Sequence, residues 1–114
     1  MNITLTPTAA WLVLLVAGLL ETVWATSMKA SEGFTKLNYT VVTLVAAGLS
    51  FWLLGLALKA LPVGSAYAVW TGIGTVGAAV LGIVLFNEPA TLARLGCIAL
   101  IVGGIAGLQL TSGH

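Results

Sequence analysis

Four apolar stretches follow one another along this chain, each about as long as the ~20 residues a helix needs to cross a hydrocarbon core, with short polar breaks between them. They cover residues 9–28, 39–58, 64–86 and 91–110. The breaks carry turn chemistry: residues 29–38 include Gly33 and three charges, Lys59 and Pro62 end the second stretch, and Asn87-Glu88-Pro89 ends the third. In lipid every backbone N–H and C=O has to be satisfied within the protein, so spanning segments are helices or barrel strands. The short alternating strands of a barrel are absent from the sequence. The reading is an all-α membrane protein of four transmembrane helices, with residues 1–114 forming one domain. Short connections make neighbouring helices antiparallel and the chain one compact bundle.

Composition closes the alternative of a soluble fold. The chain is 60% hydrophobic and 6% charged, whereas a soluble domain carries about 25% charged residues. A net charge of +1 supplies no field for nucleic acid. One Cys and one His supply neither a disulfide framework nor a closed metal site, so no metal and no cofactor are expected. The apolar run around Cys97 predicts a buried thiol, and His114 reads as a solvated tail or tag remnant. Residues 1–10 contain no Lys or Arg, so the first apolar run is a retained span and not a signal peptide. The sequons Asn2-Ile3-Thr4 and Asn38-Tyr39-Thr40 receive no role.

Lys29, Lys36 and Arg94 fall on one side of the membrane and Lys59 on the other. The positive-inside rule puts the first and third loops in the cytoplasm, yet so narrow a margin permits insertion in both orientations. No internal duplication is visible, unlike the inverted repeats of many transporters. Four short helices leave little room for a polar pathway, which a dimer would supply.

The residue that stands out is Glu21, near the middle of the first span. A charged group at that depth costs about 2.5–3.5 kcal/mol on insertion scales, and such groups are functional by default. Glu21 is read as a carboxylate that takes a proton or a cation, one excluding the other. Gly18 and Ala17 lie one turn before it and Trp24 and Ala25 one turn after. The small residues leave space, and Trp24 offers an aromatic wall to a cation. Trp11, near the start of the span, suits the membrane interface better. In the third span Tyr67 and Trp70 share a face, and Tyr67 has a hydroxyl to donate to a carboxylate. Taken alone, that pair reads equally well as aromatic packing, and mid-helix Ser50 as a back-bonded serine. Gly72-Ile73-Gly74-Thr75-Val76-Gly77 spells G-x-G-x-x-G, but no strand precedes it, so a dinucleotide site is excluded. Within an apolar helix these glycines allow close packing or a bend. Gly103 and Gly107 form G-x-x-x-G in the fourth span, and Gly96 lies on the face of Gly103, so this span reads as a packing helix. No nucleophile–base pair is visible, so the chain is not read as an enzyme.

The segments Gly18-Leu19-Leu20-Glu21-Thr22-Val23-Trp24-Ala25 and Leu61-Pro62-Val63-Gly64-Ser65-Ala66-Tyr67-Ala68-Val69-Trp70-Thr71-Gly72-Ile73-Gly74 resemble the small multidrug resistance transporters, and within them the guanidinium exporter branch. The resemblance covers nearly the whole length. Its telling feature is Glu-x-x-Trp in the first span, which the drug-exporting branch usually lacks. Residues 1–8 precede the usual start of the family, and Met28-Lys29-Ala30-Ser31-Glu32-Gly33-Phe34 looks equally like either branch. The resemblance implies an antiparallel homodimer in the bacterial inner membrane that exchanges protons for guanidinium or a related small cation through one shared pocket. It implies that Glu21 binds both proton and substrate, and that Gly18, Trp24, Ser50, Tyr67 and Trp70 line the pocket. Gly72 and Gly74 would sit at a helix bend, and Gly96 and Gly103 would pack the fourth helices of two subunits together. Guanidinium is planar, stays protonated and pairs bidentately with carboxylates, which suits two Glu21 side chains, the Ser50 hydroxyls and the flat Trp24 rings of a dimer. The competing readings are an exporter of quaternary ammonium drugs, which need a wider aromatic cage, and a non-transporting membrane assembly subunit whose Glu21 hydrogen-bonds a partner.

Overall fold

The computed structural model describes residues 5–111. Residues 1–4 and 112–114, and with them Asn2-Ile3-Thr4 and His114, lie outside the described residues. Four helices follow in order: α1 Pro7–Ala30, α2 Leu37–Leu58, α3 Val63–Phe86 and α4 Leu92–Thr111. Each is long and apolar enough to cross a membrane. The all-α, four-span expectation is met.

Local chemistry sets the ends. Thr6 caps α1 by accepting a hydrogen bond from the Ala9 N–H at 3.2 Å, and Pro7 stands where a first-turn N–H would have no partner. Ser31 ends the helix. Its hydroxyl donates to the Met28 carbonyl at 2.6 Å and accepts from the Phe34 N–H at 3.0 Å. Glu32, Gly33 and Phe34 then take left-handed backbone with φ of 51°, 73° and 67°, which reverses the chain before α2. Pro62 precedes α3. Asn87 closes α3 at φ 55°, a conformation Asn tolerates better than most residues. Thr91 caps α4 by accepting from the Arg94 N–H at 3.1 Å.

α1 is the central helix. It packs against both α2 and α3, which meet each other over a smaller contact, while α4 touches α3 alone. The assembly is a flattened layer measuring 39 × 37 × 16 Å, not the compact bundle expected, because α4 packs on α3 alone and does not close the layer back onto α1 or α2. Its core is made of small and aliphatic side chains, among them Ala10, Leu14, Ala17, Ala57, Ala66 and Val69. Small residues suit helices that associate by close backbone approach in lipid. Three glycines bring α1 and α3 together in this way. A Cβ at Gly18 would lie 2.7 Å from Ile73 Cβ, one at Gly77 would run into Thr22, and Gly74 faces Glu21.

No residue of α4 is buried among the described residues, and Cys97 is exposed. This corrects the expectation of a buried thiol. An apolar run in a membrane span does not separate a core face from an outer one, because both want apolar side chains.

Candidate functional site

Glu21 projects from α1 against the backbone of α3. Its carboxyl group rests on Gly74, and Oε2 is buried without a hydrogen-bond partner among the described residues. The other two carboxylates of the chain are paired. Glu88 meets Arg94 at 2.6 Å, and Glu32 meets Lys36 at 3.6 Å. Glu21 is therefore the one acid that has a membrane-depth position and no basic partner within the described residues.

The neighbouring turn is held by a buried hydrogen-bond relay across three helices. Ser50 of α2 is fully buried. Its hydroxyl donates to the Ala17 carbonyl of α1 at 2.7 Å and accepts the indole N–H of Trp70 from α3 at 2.9 Å. Ala17 stands one turn before Glu21, so the relay ties the helix segment that carries the carboxylate to the aromatic wall. Ser50 has a single O–H, and the backbone takes it. What remains on Ser50 is accepting capacity.

A row of aromatic rings runs beside this relay. Trp24 and Phe51 have centroids 6.3 Å apart, Phe51 and Trp70 5.8 Å, and Trp70 and Tyr67 5.5 Å, all in tilted contacts. Such tilted contacts between ring faces and edges are favourable. The structure thus brings Trp24, Tyr67 and Trp70 into one wall. Phe51, which joins the two halves of that wall, was missed from the sequence. Its place directly after Ser50 gave no signal, because adjacent residues of a helix do not share a face. The Trp24 indole nitrogen is buried and lacks a partner among the described residues, while Tyr67 is 55% exposed.

The glycines separate into three groups. Gly74 houses the Glu21 carboxyl. Gly18 receives Ile73 instead of leaving open space beside the acid, and Gly72 receives Ile105 from α4, with a Cβ there lying 2.8 Å from Ile105 Cδ1. Gly96 and Gly103 lie away from Glu21, on α4, and a Cβ at either would meet nothing within 4 Å.

A carboxylate in an apolar span, with no partner for Oε2 among the described residues and Trp24 one turn along the same helix, has two chemical options. It takes up a proton, or it holds a cation that also gains from the rings. Together with four spanning helices, this suits a small multi-pass membrane transporter. Residues 9–101 match the Small Multidrug Resistance protein family, and the chain belongs to it. Its relatives include a guanidinium exporter of Yersinia pseudotuberculosis serotype I, 55% identical over 103 residues that cover 90% of this chain and 99% of the relative. A guanidinium exporter of Escherichia coli strain K12 is 54% identical, and one of Salmonella typhimurium 52%, each over 90% of this chain and 98% of the relative. The four spans and this bacterial exporter family make the chain a multi-pass protein of the inner membrane.

Proposed function

We propose that this chain is a proton-coupled antiporter that exports guanidinium and works as an antiparallel homodimer. The carrying observation is the Glu21 carboxyl, whose Oε2 is buried without a partner among the described residues, one helical turn before Trp24, the first ring of the aromatic row. The relatives named as guanidinium exporters support the choice of substrate. A planar cation offers N–H donors to a carboxylate in a two-pronged bond, and its flat face stacks on indole.

Exchange follows from competition at one site. A proton arriving from outside neutralises Glu21 and releases the cation outward. The protonated, emptied site then turns to the cytoplasm, loses its proton and takes up the next guanidinium. Trp24, Trp70 and Tyr67 hold the cation's faces, Ser50 fixes Trp70, and Gly18 lets α3 approach α1 closely. Flexing of α3 at Gly72 and Gly74 re-aims the site. Two antiparallel copies make the inward- and outward-open forms equivalent in energy, so the bundle needs no separate gate. The open face of Gly96 and Gly103 on α4 supports a contact between fourth helices.

The test is proton release from purified protein in weak buffer. Guanidinium is expected to release protons and tetraethylammonium is not. Release with the bulky cation alone would assign the chain to drug export. Release with neither would leave an assembly subunit.

A further inference from the structure

The end of the bundle that carries the first and third loops holds clefts that cation exchange leaves unused. Between the ends of α1 and α3, beside the start of α4, lies a cleft of about 290 Å³ lined in part by Lys29, Gly82, Phe86, Glu88 and Arg94. A neighbouring cleft of about 430 Å³ shares Lys29 and Phe86 and reaches Glu32, Lys36 and Tyr39.

Charges at this end do not cancel. Three bases, Lys29, Lys36 and Arg94, stand against two acids, Glu32 and Glu88. Both acids are committed: Glu88 to Arg94 at 2.6 Å and Glu32 to Lys36 at 3.6 Å. Lys29 is left without a carboxylate in ion-pair range among the described residues. Its ammonium lies 5.3 Å from the centroid of the Phe86 ring. The surplus is one positive charge, at the residue common to both clefts.

Depth gives that charge a partner. Lys29 is the penultimate residue of α1, roughly 16 Å from the helix midpoint at 1.5 Å per residue. Half of the hydrocarbon core is about 15 Å. Lys29 and Phe86 therefore stand where lipid phosphates begin. Ala25, Ala78 and Ala79 also line the first cleft, together with Thr26, whose hydroxyl donates to the Thr22 carbonyl at 2.8 Å, so the slot between α1 and α3 is largely apolar.

We propose that these clefts bind the phosphodiester headgroup of an anionic lipid, with its single negative charge on Lys29 and an acyl chain along the alanine slot. A zwitterionic lipid brings its own ammonium to the same place and gains less. Inorganic phosphate has the charge but nothing for the slot.

The test is native mass spectrometry of the detergent-solubilised full chain with phosphatidylglycerol, phosphatidylcholine or inorganic phosphate. The native protein is expected to retain phosphatidylglycerol over phosphatidylcholine, and Lys29→Gln to lose that preference by about fivefold. Lys29→Arg should keep it, and Lys59→Gln, at the opposite end, should not change it. Equal retention in native protein and Lys29→Gln would overturn the proposal. So would Lys29-dependent binding of inorganic phosphate as tight as that of the lipid, which would make the ligand a free phosphate.

Discussion

The Glu21 carboxyl group occupies the space that a side chain at Gly74 would fill: a Cβ there would lie 2.5 Å from Glu21 Cδ and 2.6 Å from Oε2. Gly74→Ala therefore has to move the carboxyl or push α3 off α1. Overpacking of this kind costs about 1–3 kcal/mol. The expected outcome is a chain that still inserts but releases few protons on adding guanidinium. Proton release and elution on size-exclusion chromatography, measured together, check this. Unchanged proton release would mean that the carboxyl has room that the structure does not give it.

Glu21→Gln keeps the shape and hydrogen-bonding capacity of the side chain and removes its proton chemistry. Insertion and assembly should survive, and coupled transport should be abolished. Guanidinium-driven proton flux that persists in vesicles containing Glu21→Gln would sink the exchange reading.

The Ser50 relay predicts an asymmetry. Ser50→Ala leaves the Trp70 indole N–H buried without an acceptor, and an orphaned donor costs about 1–3 kcal/mol. Trp70→Phe leaves Ser50 still donating to Ala17. Ser50→Ala should thus be the more harmful of the two per atom removed, and the double variant should lose less than the sum of the single losses. Unfolding in mixed micelles of the three variants measures this, and strictly additive losses would speak against the relay.

Trp24 heads the aromatic row, with Phe51 next to it. Trp24→Ala removes a face for the cation at a half-buried position, so it should weaken guanidinium binding more than it weakens assembly. Calorimetry in detergent gives the affinity, and an unchanged value would count against a pocket role. Phe51→Ala, which interrupts the row at its centre, should reproduce part of that loss.

How much of this was legible in the sequence differs from residue to residue. The four helices were, because span length and apolarity are set by the bilayer itself. Glu21 was, because one acid in an apolar span has no ordinary reason to be there. The partners of these residues were not. That Gly74 houses the carboxyl, and that Gly18 receives Ile73, depends on the register between α1 and α3, which no spacing within one helix contains. Ser50 carried no sign that its proton goes to the Ala17 carbonyl of a neighbouring helix. Cys97 was misread for a further reason. In water an apolar stripe marks the buried face, but in lipid the outer face is apolar too, and helical periodicity loses that meaning.

The exposed face of α4 carries the last prediction. A Cβ at Gly103 meets nothing within 4 Å in the single chain, so a larger side chain there starts into open space within the subunit. If α4 packs on α4 of a second copy, the same side chain has to separate two backbones that small residues allow to approach. Gly103→Leu is therefore expected to leave helix content unchanged by circular dichroism while it abolishes energy transfer between labelled copies. Guanidinium binding should fall with it, because the pocket is shared between subunits in the proposed exchanger. This outcome differs from that of Gly74→Ala, which impairs the site without separating the copies. Energy transfer that survives Gly103→Leu would place the dimer contact elsewhere than on this face of α4.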